Sequence, residues 1–303
     1  MLSLLGDTHG AASYHLAGAC VLFALMALVV VLFLCLLAAL GRKAIRWLLP
    51  AVIGLLMAIV FLGVFFEVVM FFACPPPIYA AIEEGDLQTV KRLVKEDPNL
   101  LDADGLARPT PLAAASEKGH MHIVRFLISE GADVEKGLSP PLAKAAEKGH
   151  VEIGRILLEN GADIERRHGR SIWTALHTAS FWGNARFVRM LLEHGADIDA
   201  RDGAHVTPLI LAAKEGHAEV VRVLLEHGAD PNETANGYTA LFRATEHDHT
   251  GVARFLLEYG ADPDTAAPHS SLWPSRNDEL YRMLKEARAK KKQAAGRREH
   301  PAS

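Results

Sequence analysis

The chain has 303 residues, of which 50% are hydrophobic, and its formal net charge is −4. The charge is uneven, because residues 75–284 carry about −10 and residues 285–303 about +5. An acidic body lacks the positive face that nucleic-acid binding requires, so we expect no nucleic-acid partner. The three cysteines lie at 20, 35 and 74, which leaves residues 75–303 without a disulfide or a CxxC site.

Two long apolar segments, residues 16–40 and 47–73, dominate the N-terminal region. The first contains no charged residue, and the second contains only Glu67. A helix of about 25 residues spans about 37 Å, which exceeds the hydrocarbon core of a bilayer, about 30 Å. A cleavable signal peptide fits poorly, because residues 1–15 contain no Lys or Arg. The sequence therefore predicts a short extramembrane N-terminus, 1–15, followed by a transmembrane helical hairpin over 16–73.

The loop 41–46 that joins the two segments, GRKAIR, sets the expected orientation. Half of it is basic, whereas neither outer flank has a Lys or Arg close to the apolar segments. The positive-inside rule places such a loop in the cytoplasm. We therefore expect the rest of the chain in the periplasm of a bacterial inner membrane, or in a lumen if the cell is eukaryotic. The alternative is a C-terminal domain in the cytoplasm.

Glu67 is the single carboxylate within the two apolar segments. A carboxylate in lipid is costly, so an intramembrane glutamate is a functional candidate. The alternatives are that its side chain reaches the nearby interface or faces the first helix. Neither segment offers it a basic partner.

One sequence pattern recurs five times after the hairpin, ending in Gly-Ala-Asp at positions 131, 161, 195, 228 and 260. Residues 207–230, TPLILAAKEGHAEVVRVLLEHGAD, are typical. Thr207 and Pro208 favour a helix start, and Gly216 suits the left-handed residue that ends a helix. A second apolar stripe follows at helical spacing, up to Gly228. One such helix pair cannot bury its own apolar face, so the pattern predicts stacked pairs with a continuous core.

The pattern closely resembles the ankyrin repeat. The resemblance implies an all-α fold, in which two transmembrane helices precede an ankyrin-repeat α-solenoid over 78–289. Its expected parts are a degenerate N-terminal repeat (78–103), five repeats (about 104–265), a closing helix (about 277–289) and a basic tail (290–303). The sequence departs from the family pattern at three slots, where Pro140 replaces a capping Thr, Asn184 a His and Asp248 a Gly.

No catalytic motif occurs: GxGxxG, GxxxxGK[ST], HExxH, GxSxG and CxxC are all missing from the sequence. The histidines mostly occupy repeated slots, as His120, His150 and His217 do, and these are structural positions in the family. The cluster 246–249, EHDH, is the one local candidate for a metal, but adjacent residues would point in different directions. We therefore expect no enzyme activity, cofactor, metal or small-molecule substrate.

The ankyrin resemblance implies that a partner protein meets the turn tips and the concave side of the first helices. Most of the relevant slots are charged, whereas the third repeat places Trp173, Phe181 and Trp182 there. Tyr238 fills the Trp173 slot two repeats later. The adjoining turn carries Arg166, Arg167 and Arg170. Because exposed aromatic residues and arginines are typical of binding hot spots, these seven residues are the predicted partner site. The alternative is that some rings fold onto a neighbouring repeat, since Ile172 replaces the usual turn glycine.

These features together predict a membrane-anchored scaffold that captures a protein partner. Its role would be that of an inhibitor or immunity-type binder, or of an assembly factor. The alternative function is a small transport or channel component, in which an oligomer of the hairpin forms the pore and Glu67 is essential. The basic tail is either solvated, or bound to anionic lipid, or bound to the acidic solenoid.

Overall fold

A computed structural model describes residues 77–103, 108–266 and 278–299. The predicted membrane hairpin, its loop 41–46 and Glu67 lie outside the described residues. Within the described ranges, none of the helices combines the length and the apolar character needed to cross a bilayer. The described helices belong to one compact unit, Ile78–Ser303.

This unit is built almost entirely of short antiparallel helices. Those that the structure describes are α1 (Pro77–Glu84), α2 (Leu87–Glu96), α3 (Pro111–Lys118), α4 (Met121–Ser129), α5 (Pro141–Lys148), α6 (Val151–Glu159), α7 (Ala175–Phe181), α8 (Ala185–Glu193), α9 (Pro208–Glu215), α10 (Ala218–Glu226), α11 (Ala240–Glu246), α12 (Thr250–Glu258) and α13 (Asp278–Glu299). The described residues also form two short 3-10 helices, Pro98–Asp102 and Pro263–Ala266. One β-hairpin consists of β1 (Thr234–Ala235) and β2 (Tyr238–Thr239).

The first helix of each repeat begins where the sequence predicts. Thr110, Thr207 and Thr239 each accept a hydrogen bond on the side-chain oxygen from a backbone N–H three residues on. Pro140 takes the same place before α5 but makes no side-chain cap. The helix still starts there, because Pro141 at the first helical position presets the backbone angle.

The helices stack in two layers. The first helices of the full repeats are α3, α5, α7, α9 and α11, and each contacts the next one. The second helices, α4, α6, α8, α10 and α12, form the other layer. Leu, Ile, Val and Ala side chains fill the space between the layers, and Phe187 is the largest fully buried side chain among the described residues. The all-α ankyrin-type solenoid expected from the sequence is therefore confirmed for this part of the chain.

A polar link joins each repeat to the next at the turn between its two helices. The Nε2 atoms of His150, His217 and His249 lie 2.8–3.2 Å from backbone carbonyl oxygens of the preceding repeat. Asn184 replaces the histidine in the third repeat, and its Nδ2 donates to the Ala146 oxygen at 2.7 Å. The amide thus preserves the link, and these histidines serve the stacking of repeats.

Both ends of the solenoid differ from the repeats between them. At the N-terminal end, α1 and α2 form a helix pair from the degenerate segment that precedes the first full repeat. At the other end, α13 begins at Asp278 and continues to Glu299, well beyond the closing helix expected over 277–289. The residues expected as a basic tail continue this helix, because Ala, Lys, Arg and Gln are strong helix formers.

Helix α13 contacts the C-terminal end of the solenoid, which carries the acidic residues Asp262 and Asp264. Leu280 and Leu284 are buried, and Lys291 Nζ lies 2.5 Å from Asp262 Oδ1 and 2.7 Å from Asp264 Oδ2. Arg288 Nε donates to the Pro263 oxygen at 3.2 Å. Of the alternatives for the basic segment, these contacts favour association with the solenoid itself.

Candidate protein-binding site

Three aromatic rings of the third repeat form a continuous group, which we call the aromatic cluster: Trp173, Phe181 and Trp182. The ring centroids of Trp173 and Phe181 are 5.1 Å apart. Phe181 and Trp182 meet edge to face with centroids 5.5 Å apart. The structure therefore brings together three of the four aromatic residues that the sequence singled out.

Trp173 is held by its own turn and by the next repeat. It exchanges two backbone hydrogen bonds with His168, at 2.8 and 2.9 Å. Its indole N–H donates to Asp202 Oδ2 at 3.1 Å, and the side chain is half-buried. The preceding residue, Ile172, has a left-handed backbone with φ 57°. Trp173 thus folds partly onto a neighbouring repeat, as the alternative interpretation of the sequence allowed.

Trp182 remains open to solvent. It follows α7 directly as its C-cap residue, and 51% of its surface is exposed. The Lys148 Nζ of the preceding repeat lies 5.8 Å from the centre of its ring, within the range of a cation–π interaction. Lys148 is also hydrogen-bonded to Glu147 at 2.8 Å, which raises the pKa of the lysine and keeps it charged.

The predicted arginines bridge turns rather than surround the rings. Arg166 Nε lies 3.2 Å from Glu135 Oε2, and Arg167 Nη1 donates to the Arg201 oxygen at 2.7 Å. Arg170 is exposed and makes no polar contact with another described residue. In the part of the chain that the structure describes, the cation over the aromatic cluster is Lys148.

Tyr238 lies in a second group, on the fifth repeat. Its ring contacts that of Phe242 at a tilt of 36°, with centroids 4.7 Å apart, and the Arg243 guanidinium lies 4.5 Å from the Tyr238 ring centre. Arg243 Nη1 also donates to Glu246 Oε2 at 2.7 Å. The ring contacts of Tyr238 are thus made within its own repeat.

Sequence reasoning missed three of these neighbours: Lys148, Phe242 and Arg243. For Lys148 a signal existed, because it occupies the slot directly before the inter-helix glycine, as Trp182 does in the next repeat. Side chains in the same slot of successive repeats face each other in a stacked array. Arg243 lies five residues after Tyr238, across the start of α11, so the sequence spacing does not indicate that its guanidinium covers the ring.

A groove of about 370 Å³ adjoins the aromatic cluster, and we call it the basic groove. Its charged lining is Lys148, Arg186, Arg189 and Glu219. Gly183 and Asn184, which follow Trp182 directly, form part of its wall. The cluster and the groove are therefore neighbouring parts of one surface, joined by Lys148.

The third repeat contains the buried His177 and the half-buried His168. His177 Nε2 lies 3.1 Å from the Val206 oxygen, and the Thr174 backbone N–H donates to His177 Nδ1 at 3.3 Å. Burial lowers the pKa of His177 and also that of His168. No group of three or more potential metal ligands occurs in the ranges that the structure describes, which include the cluster 246–249.

Comparison with protein families agrees with this geometry. A model of ankyrin repeats in three copies matches residues 78–168 and 203–267, and a single ankyrin-repeat model matches residues 172–203. A comparison with curated proteins gave no match. The chain belongs to the ankyrin-repeat family, whose repeats act as protein-interaction modules.

Proposed function

We propose that this protein is a membrane-anchored scaffold that captures a protein partner with the aromatic cluster of its third repeat. The observation that carries the proposal is the exposure of Trp182. A large aromatic side chain, half open to solvent and flanked by a cation, is the kind of residue that dominates binding energy in protein interfaces.

A structural role explains Trp182 less well than a binding role. The equivalent slots of the other full repeats hold Lys118, Lys148, Glu215 and His247, which are all polar. The repeat therefore folds without an aromatic residue at this position. A residue that breaks the pattern of its repeat without adding to the buried core is a candidate for function.

The test compares the proteins that crosslink to the full chain in its own cells with those that crosslink to Trp182→Ala. The proposal expects at least one protein to be lost with Trp182→Ala while the thermal unfolding midpoint stays within about 2 °C, since surface substitutions usually change stability little. Tyr259→Ala is the matched control, because Tyr259 is also exposed (42%) but lies at the end of a second helix. Equal crosslinking by wild type and both variants would refute the proposal.

We further propose that residues 16–73 anchor the scaffold, with loop 41–46 in the cytoplasm and the repeats in the periplasm. The support is the charge of the loop and the length of the two apolar segments. Reporter fusions at residue 73 and at residue 303 test this, with one reporter active only outside the cytoplasm and the other only inside. An inside signal at both sites would reverse the orientation and place the repeats among cytoplasmic partners.

Two specific roles fit the proposed scaffold: an inhibitor or immunity-type binder, and an assembly factor. An immunity role expects that loss of the gene is lethal only when a neighbouring toxin gene is present. An assembly role expects that a membrane complex fails to form without any toxin. Deletion of the gene with and without its genomic neighbours distinguishes the two.

A further inference from the structure

The basic groove owes part of its positive charge to one variable slot of the repeat. The second residue of the second helix is Glu152 in the second repeat and Glu219 in the fourth, whereas it is His122 in the first and Gly251 in the fifth. Each glutamate pairs with an arginine three residues on, Arg155 at 3.9 Å in one case and Arg222 in the other. In the third repeat this slot holds Arg186, so the first turn of α8 contains an arginine and no acidic residue, and Arg189 follows three residues later.

The substitution leaves positive charge without a full set of partners. Arg186 is exposed, and its guanidinium makes no hydrogen bond or ion pair with another residue of the described ranges. Arg189 lies 3.9 Å from Glu226 Oε2, but the other oxygen of that carboxylate already accepts from Arg222 Nη1 at 2.7 Å. Glu219, the acidic group in the lining, is bound by Arg222 as well.

An arginine in the first turn of a helix opposes the helix dipole, which favours acidic residues there. Arg186 is thus expected to lower the stability of the third repeat slightly, although the body of the solenoid is acidic overall. Such a departure is expected where a ligand supplies the missing negative charge. The groove, about 370 Å³, has room for one or two side chains.

We propose that the partner presents an acidic segment of polypeptide to this surface. A carboxylate side chain occupies the basic groove between Arg186 and Arg189, and a neighbouring apolar side chain of the same segment covers Trp182. This assignment rests on the proposed function and adds the chemistry of the partner. Lys148 joins the two parts, because it lines the groove and also lies 5.8 Å from the Trp182 ring centre.

A protein segment fits this surface better than an anionic membrane. The groove is a concavity of about 370 Å³, whereas a bilayer presents a flat face. Glu117 and Glu147 also lie within 4 Å of Lys148, so an extended anionic surface would meet carboxylates there. A single peptide carboxylate between the two arginines meets only the groove lining, where the one carboxylate among the described residues, Glu219, is already paired with Arg222.

The test uses the full chain in phosphatidylcholine nanodiscs as the target of a random 12-residue peptide display library. The expected peptides carry an excess of Asp and Glu beside an aromatic or large aliphatic residue. Their affinity, measured by fluorescence anisotropy, should fall at least about tenfold in Arg186→Glu and in Trp182→Ala, as for central interface residues. It should weaken as the salt concentration rises.

Arg125→Glu is the matched control, because it makes the same change of charge at an exposed site of the first repeat. It should leave peptide affinity within about twofold, as expected for a charge outside the interface. Arg186→Glu should not lower the thermal unfolding midpoint, because a glutamate in this slot can pair with Arg189 as Glu152 does with Arg155. A loss of binding is then separated from a loss of folding.

Each other outcome overturns a defined part of the inference. Peptides that lack acidic residues, or that depend on Trp182 but not on Arg186, overturn the acidic partner and leave the proposed function intact. No enriched peptide, or peptides indifferent to both variants, overturn both. Binding of phosphatidylglycerol vesicles that is lost in Arg186→Glu, with no acidic peptide enriched, assigns the groove to a membrane instead.

Discussion

Asp248 occupies the slot that glycine fills in the other full repeats, and its backbone is left-handed, with φ 59°. The reason why a side chain is tolerated there lies in the neighbouring repeat. A Cβ at Gly216 would lie 2.6 Å from His249 Cε1, because the imidazole of the next repeat packs over the glycine. The fifth repeat has no such imidazole packed over it in the described residues.

This difference predicts opposite changes in stability when Asp248 is replaced by glycine and when Gly216 is replaced by aspartate. Asp248→Gly should stabilise the fold by about 0.5–1 kcal/mol, because glycine adopts the left-handed region without steric cost. Gly216→Asp should destabilise it by about 2–4 kcal/mol, through the same strain and the displaced imidazole. Urea unfolding of the full chain in nanodiscs, followed by the circular dichroism of the helices, measures both. Equal effects of the two exchanges would contradict the argument.

His177 gives the third repeat a pH-dependent stability. Burial lowers its pKa from the ordinary 6.5, and burial also lowers that of His168. Because the folded chain prefers the neutral imidazoles, their stabilisation is complete above about pH 6.5 and is lost as the pH falls towards the folded pKa values. We expect the free energy of unfolding to fall between pH 7 and pH 5.

The double variant His168→Asn, His177→Asn checks this origin. It should be less stable than wild type at pH 7, because Asn does not reproduce the contact of His177 with the Val206 oxygen. Its free energy of unfolding should change less between pH 7 and pH 5. An undiminished slope in the double variant would assign the pH dependence to other groups.

At the scale of elements, Gly154 allows the neighbouring helices α6 and α8 to pack closely against each other. Gly154 lies in the buried face of α6, and a Cβ there would be 2.5 Å from Phe187 Cζ and 2.7 Å from Met190 Cε. Gly154→Ala should therefore cost about 1–3 kcal/mol through overpacking, although alanine is the better helix former. Thermal unfolding of the variant measures this loss.

Gly251→Ala is the matched control for this effect. Gly251 lies in the first turn of α12, and a Cβ there meets no atom of the described residues within 4 Å. The same substitution should stabilise the chain there by up to about 1 kcal/mol, since only helix propensity changes. If both variants lose stability, the close approach of α6 and α8 is not the cause.

The sequence predicts the elements well because each repeat encodes them locally. Thr at the helix start, Gly at the turn and the apolar stripe act within about 30 residues, so their period is sufficient to place the helix pairs. Contacts across repeats are less predictable. Trp173 becomes half-buried because Asp202, from the next repeat, accepts its indole N–H. That pairing depends on the conformation of two turns, which no spacing specifies.

In the candidate site, too, features within one repeat are predictable from the sequence, and contacts between repeats are not. The sequence identifies Phe181 and Trp182, because aromatic residues break a charged pattern. It assigns the positive charge to the turn arginines, whereas Lys148 of the preceding repeat lies over the ring. The sequence also contains a signal for the basic groove, because Arg186 stands where the second and fourth repeats have glutamate. The structure adds that the glutamates in this slot, Glu152 and Glu219, each pair with an arginine, whereas the charge of Arg186 has no such partner among the described residues.

At the scale of the whole molecule, the solenoid depends on how its end is closed. Each repeat contacts only its neighbours, so stability is close to a sum of repeat and interface terms. The last repeat has one neighbouring repeat, and α13 covers its other side with the buried Leu280 and Leu284. Loss of that cover should act first on α11 and α12.

We therefore expect Leu284→Ala to weaken the C-terminal end selectively. The substitution removes a side chain that is 4% exposed, which typically costs about 2–4 kcal/mol. Hydrogen exchange measured by mass spectrometry should accelerate in α11, α12 and α13 and remain unchanged in α3 to α6. Lys291→Ala is the comparison, because its ion pairs with Asp262 and Asp264 are exposed and should contribute at most about 1 kcal/mol. Uniform acceleration over all repeats would show instead that the solenoid unfolds as one unit, and the basic groove would then depend on the end cover too.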